Sequence, residues 1–202
     1  MCQILINLVG TGDNEKLTKS IHIVLVPVIQ LMQSENKGKT ALPTKDVMTE
    51  FVTDFFASIV ERSHSIDGSL IKPYRNDIIS LFNVETFFQF SVLNMKHWQK
   101  IMKYVIDGKP DEIFEDLMQK WNIQGGLFAN NNTIILQKCY SMKRIAFIIF
   151  SCDDDEFQQL LDQMLRKMIE VFKQKQKNDY KQRLFLLFLT RVILIRVNFT
   201  TL

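Results

Sequence analysis

Little in this sequence lets a chain turn sharply. Its 202 residues include only seven Gly and four Pro. An all-β fold needs many turns and is disfavoured, while long helices are favoured. Cysteine is also scarce. Cys2, Cys139 and Cys152 are odd in number, far apart, and form no C-x-x-C pair. That pattern excludes a disulfide framework and fits a reducing compartment. Membrane-length apolar runs are missing. The longest, "IHIVLVPVIQLM" and "LFLLFLTRVILIRV", fall short of the roughly 18 to 20 residues a span requires, and the second carries Arg191 and Arg196. The opening "MCQILINLVG" has neither a basic flank nor a small-residue cleavage site, so it does not read as a signal peptide. A cytosolic chain is expected, in which the sequons at Asn131 and Asn198 carry no glycan.

What is present is ordinary in amount and uneven in place. The apolar fraction is 47% and the charged fraction 23%, both normal for a globular chain able to bury a core. Net charge is only +3, too small to draw the whole molecule toward nucleic acid. From Leu165 to Leu202, however, nine Lys/Arg face two acids, Glu170 and Asp179, leaving sixteen basic and twenty acidic residues elsewhere. The C-terminal fifth is basic and the remainder slightly acidic.

The apolar spacing is helical nearly throughout. A first fragment ends at Gly10, and residues 16–33 form a helix that Pro27 should kink. "SENKGKTALP" is a loop. In 44–62, Val47, Phe51, Phe55, Ile59 and Val60 are expected to share one face. "SHSIDGS" is a turn, and residues 73–82 form a short helix with Pro73 at its start. Asn83 is expected to cap another short helix. Further helices are predicted over 95–106, 111–121, 134–150, from Asp153 to about Lys177, and over 180–197. Asp153 is a good N-cap, and "DDDE" puts acids in the first turn, where the helix dipole favours them. The final helix is apolar almost all round, so burial against at least two neighbours is expected, with Arg191 and Arg196 reaching an edge, a carboxylate or a carbonyl. About nine helices with short connections and no alternating strand run predict an all-α chain. The expected arrangement is antiparallel helical pairs stacked as a HEAT/armadillo-like solenoid, in one domain over 1–202.

Chemistry has little support. "GKT" at Gly38–Thr40 lacks the glycine a phosphate loop needs five residues earlier, where Gln33 stands, and a helix rather than a strand precedes it. His22, His64 and His97 are isolated, so no metal site and no cofactor is expected. No G-x-S-x-G marks a serine nucleophile. "DDDE" without spaced carboxylates around a glycine turn is a solvated helix start rather than a cation loop. No enzyme is expected.

Two features could bind something. Residues 72–101 gather Tyr74, Phe82, Phe87, Phe88, Phe90, His97 and Trp98 among basic and amide side chains. Stacking on single-stranded nucleic acid needs exposed rings, whereas helical spacing of Phe82, Phe88 and Trp98 with Ile78, Leu81, Ile101 and Val105 makes them core residues. The second feature is the basic segment Lys173, Lys175, Lys177, Lys181 and Arg183, with Asp179 its one acid. It reads as a solvated helix end offsetting the dipole, or as a contact with anionic lipid, which attracts each basic residue by about 1 kcal/mol.

Three blocks, in order, resemble the C-terminal region of the Dopey family. They are "YRNDIISLFNVETFFQFSVLNMKHWQKIM", "MKRIAFIIFSCDDDEFQQLL" and "RLFLLFLTRVILIRV", with a weaker helix "LPTKDVMTEFVTDFF" before them. The resemblance covers residues 43–202, and residues 1–42 are too generic to place. It implies a fragment of a much longer helical-repeat scaffold on the cytosolic face of Golgi and endosomal membranes, acting in endosome-to-Golgi transport. Implied partners are a large Arf-exchange-factor-like scaffold, phosphatidylinositol 4-phosphate membranes, a phospholipid flippase and kinesin light chain. No residue role is carried over. The alternative is a generic helical-repeat module binding protein or nucleic acid.

Overall fold

The structure, a computed structural model, describes residues 14–37, 43–83, 87–88, 91–106, 110–121, 131–173 and 180–200. Every regular element among them is helical. Eight α-helices follow in order: α1 Asn14–Lys37, α2 Pro43–Ile66, α3 Arg75–Phe82, α4 Val92–Ile106, α5 Pro110–Trp121, α6 Asn131–Ser151, α7 Asp154–Lys173 and α8 Tyr180–Thr200. Two short 3-10 turns, Gly68–Leu70 and Lys72–Tyr74, lead into α3. The predicted fragment before Gly10 lies outside the described residues, as does the whole of the "QKND" break. The chain divides into two compact units, Met1–Val105 and Ile106–Leu202.

The helix starts follow local chemistry. Ser91 Oγ accepts the Asn94 N–H at 3.3 Å and opens α4 three residues earlier than the apolar spacing alone suggests. Asp153 stands just before α7, in the expected N-cap position, and Glu156 reaches back to accept its N–H at 3.0 Å, the return arm of a capping box. Asn83, expected to open a helix, closes one: its N–H donates to the Ile79 carbonyl as the C-cap of α3. The helix α1 continues through Pro27. Proline leaves the Ile23 carbonyl without its usual donor, and both residues face solvent, where water can serve it.

In the first unit α1 packs against α2 and α3. The core face of α2 differs from expectation. Thr53, Phe56, Ala57, Ile59, Val60 and Ser63 are buried, while Phe51 is 52% exposed and Phe55 half-buried. The reason is rotation. A spacing of four residues advances about 40° per step at roughly 100° per residue, so the Val47, Phe51, Phe55, Ile59 series winds across the surface instead of holding one face.

Phe87 stands at the centre of this core. Its ring meets Phe82 at 4.9 Å, Trp98 at 5.1 Å and Phe88 at 5.2 Å, all edge-on, and Trp98 in turn meets Phe56 at 6.2 Å. Edge-to-face contacts at these separations suit the quadrupoles of the rings. Phe82, Phe87 and Trp98 are buried, so none can serve as a stacking platform. Phe88, expected in the core, is only half-buried, and Phe87 takes that place. Trp98 Nε1 has no hydrogen-bond acceptor among the described residues, so ring packing fixes this indole.

Side-chain pairs set the helix directions. Asp54 approaches His97 at 3.1 Å and Glu61 accepts from Tyr104 Oη at 3.3 Å, so the contacts advance together along α2 and α4. These two helices are parallel. The second unit repeats the relation. Lys143 lies 5.3 Å from the Phe185 ring and the Cys152 carbonyl accepts from Arg196, so α6 and α8 also run parallel, with α7 returning the chain between them. The neighbours whose directions these contacts fix are therefore alternate helices. In this unit α6 packs against both α5 and α8, and Met142, Ile145, Ile148 and Ile149 on it are fully buried. The predicted burial of 134–150 holds for its second half, while Leu136 and Gln137 face solvent.

Phe87→Ala should destabilise the protein by about 3 to 5 kcal/mol, as removal of a buried core ring does. Phe88→Ala should cost distinctly less, because its ring is already half in water. Thermal unfolding of the two variants side by side checks the assignment of the core centre.

Candidate functional site

The final helix carries the feature the sequence reading missed. At about 100° per residue, Tyr180, Arg183, Leu184, Leu187, Phe188, Arg191 and Leu194 fall within an arc of about 140° on α8. All seven are exposed. Leu186, Leu189, Val192 and Ile193 lie on the opposite side and are buried, mainly against α6. The expectation of burial nearly all round is thus corrected. Leucines fill both arcs of α8, so composition alone cannot separate the packed arc from the open one. The arginines were the available signal. Arg191 falls near the middle of the open arc, so Arg196, five residues and about 140° further round, falls outside it on the packed side.

Arg196 lies on the packed side and meets the expected partners. Its Nη2 donates to the Cys152 carbonyl at 2.7 Å and to Asp154 Oδ1 at 2.8 Å, and the guanidinium stands 5.8 Å from the Phe157 ring. Charge-assisted bonds and a ring face replace the water lost by a cation that is only 20% exposed at its side chain. The contact ties the end of α8 to the tight turn between α6 and α7. Burial pushes the adjacent Cys152 thiol up to about 12, against the opposing pull of the Arg196 cation. The thiol stays neutral, with Sγ donating to the Ile149 carbonyl at 3.5 Å. Because burial raises this group above its unfolded value, the associated stability is complete below pH 9 and declines as pH rises toward 12.

The structure places the ends of the basic segment on two consecutive helices. Lys173 is exposed and is the last described residue of α7, the predicted continuation to about Lys177 lying outside the described residues, and Arg183 is exposed in the first turn of α8. Lys181 belongs to α8, whereas Lys175 and Lys177 lie outside the described residues. The exposed face of α7 carries Leu165, Ile169 and Phe172, interleaved with the acids Asp162 and Glu170. Among the described residues no group of three or more His, Cys, Asp or Glu could hold a metal ion. No helix among them is long and apolar enough to cross a membrane.

Comparison with known proteins decides the lineage. The DOP1 C-terminal family matches residues 3–202. The chain belongs to the Dopey family. The match takes in the first forty residues, which resemblance alone left unplaced. A curated Dopey relative, Protein DOP1B of Mus musculus, is 24% identical over 127 residues, a match spanning 63% of this chain and 5% of that protein. No solved structure matches this Dopey chain.

Replacing Arg196 with Met should lower stability by about 1 to 3 kcal/mol, since the Cys152 carbonyl loses a charge-assisted donor. Asp154→Asn should cost under about 1 kcal/mol, because this carboxylate is 65% exposed and screened by water. Urea midpoints at unchanged slope measure both effects. A thiol alkylating reagent at pH 8, followed by peptide mapping, should label Cys152 only after denaturation.

Proposed function

We propose that this chain is a non-enzymatic piece of a membrane-trafficking scaffold that works in endosome-to-Golgi transport at the cytosolic face of Golgi and endosomal membranes. The observation that carries this reading is the family match over residues 3–202, joined to a chain whose described elements are all helical. Parallel alternate helices with a returning helix between them suit a stacked, solenoid-like arrangement of helical pairs, the architecture that gives scaffolds long binding surfaces. The partners proposed with it are a large Arf-exchange-factor-like scaffold, a phospholipid flippase and kinesin light chain.

The membrane contact is assigned to Lys173, Lys175, Lys177, Lys181 and Arg183. Five cations at about 1 kcal/mol each set an upper bound near 5 kcal/mol, before the entropy of ordering long side chains is subtracted. Such a contact is weak and salt-sensitive. Stacking of single-stranded nucleic acid on the aromatic cluster of the first unit would need exposed rings there, and the buried Phe82, Phe87 and Trp98 do not supply them.

Vesicles containing phosphatidylinositol 4-phosphate should sediment the wild-type protein at about 0.1 M salt and release it as the Debye length falls from about 10 Å to 3 Å at 1 M. The variant with all five positions changed to Gln should bind severalfold less at low salt. Equal binding by both proteins removes this segment from the function.

A further inference from the structure

We propose that the open arc of α8 is an interfacial lipid-binding face, whose apolar side chains enter the boundary between headgroups and acyl chains while its arginines stay at headgroup level. The proposal rests on the membrane reading above and adds a second mode of attachment to it. Tyr180, Leu184, Leu187, Phe188 and Leu194 are 73%, 60%, 62%, 45% and 58% exposed, on one side of one helix. Isolated exposed leucines are common, but an aligned row of this length on one helix is a binding surface by default.

Charge identifies the occupant. No Asp or Glu occurs anywhere from residue 180 to 200. Arg183 and Arg191 are exposed on the same arc, and exposed Lys173 ends the preceding helix. A partner for this face must be apolar and anionic at once. An anionic bilayer presents both at its surface, and the long Arg side chains can run along apolar surface with their heads in the headgroup layer. The exposed stripe of α7 differs: Asp162 and Glu170 beside Leu165 and Ile169 are paired with Arg166 and Lys167, so these residues offer no net positive charge to draw anionic lipid.

Attachment by charge alone is abolished by salt, whereas apolar insertion survives it. The two contributions are therefore separable in the 202-residue chain. Both native tryptophans, Trp98 and Trp121, are buried, at 1% and 3% exposure, so a Trp introduced at Leu187 reports its own surroundings. With phosphatidylcholine vesicles containing phosphatidylserine, Leu187→Trp emission should shift to the blue. The triple change Leu184→Ser, Leu187→Ser and Phe188→Ser should leave helicity and thermal midpoint unchanged. Its vesicle partitioning should fall at least about tenfold, losing the fraction that persists at 1 M salt. If vesicles bind while the emission stays unshifted, insertion is refuted and only the charge contact stands. If the blue shift grows with protein concentration in the absence of lipid, the face joins copies of the chain and the proposal fails. Comparison with a variant in which only Lys173, Lys175, Lys177 and Lys181 are changed to Gln, leaving Arg183 and Arg191 of the open arc in place, separates the readings. Loss of binding there with no effect of the triple Ser change sinks this inference alone, whereas loss only in the triple Ser protein supports insertion and sinks the basic-segment contact.

Discussion

The rotation of about 100° per residue governs this protein, because with no strand among the described residues most core contacts are made by arcs of helices. Phe87 illustrates the consequence. It lies outside the long helices, between α3 and α4, yet it joins Phe82 from one to Trp98 from the other. Through Trp98 the cluster reaches Phe56 on α2. The directions of α2 and α4 follow from what those arcs present: paired residues advance together from Asp54 and His97 to Glu61 and Tyr104. A parallel pair needs a connection that returns the chain, and the two 3-10 turns with α3 supply it. In the second unit α7 does the same for α6 and α8.

Such an arrangement leaves its polar requirements at the joints. Helix ends carry unpaired N–H and carbonyl groups, and the turn between α6 and α7 concentrates both. There Glu156 accepts the Asp153 N–H, the Cys152 N–H donates to the Ile148 carbonyl, and the Cys152 carbonyl receives Arg196 from α8. A distant helix thus completes a local cap. This explains a charged residue within the packed arc of an apolar helix, because an aliphatic side chain at 196 would leave the turn's carbonyl without its donor.

Much of the fold was legible in the sequence because helix signals are local. Sparse Gly and Pro, Asp153 with its acids, and Pro73 ahead of a short helix each act within one turn of chain. The misreadings share a different cause. Phe51 and Phe55 were expected to share a face with Ile59 by a spacing of four that drifts around the helix, and Phe87 yielded to Phe88 because adjacent aromatics carry no label for inside. Ser91 was passed over because capping was sought at the Asn83 boundary rather than beside the apolar run. The open arc of α8 was hidden for the same physical reason that made the helix look buried, since leucine satisfies a core and an exposed surface equally in a count of apolar residues. Exposure depends on what packs opposite, and that information is not local.

The two arginines of α8 show how one helix can serve folding and surface at the same time. Five residues place them on arcs about 140° apart, so their environments are independent. Arg196 loses water and regains it as a carbonyl, a carboxylate and a ring face. Arg191 keeps its water among exposed leucines. Substitutions on the first arc act on stability through the α6–α7 turn, and substitutions on the second act only on what the face touches. A leucine-rich helix that were purely a core element would gain nothing from an arginine at 191, whereas a helix meeting an anionic apolar surface does. Under the proposal that this face meets lipid, the charge on the open arc, more than its hydrophobicity, selects an anionic bilayer over a purely apolar partner.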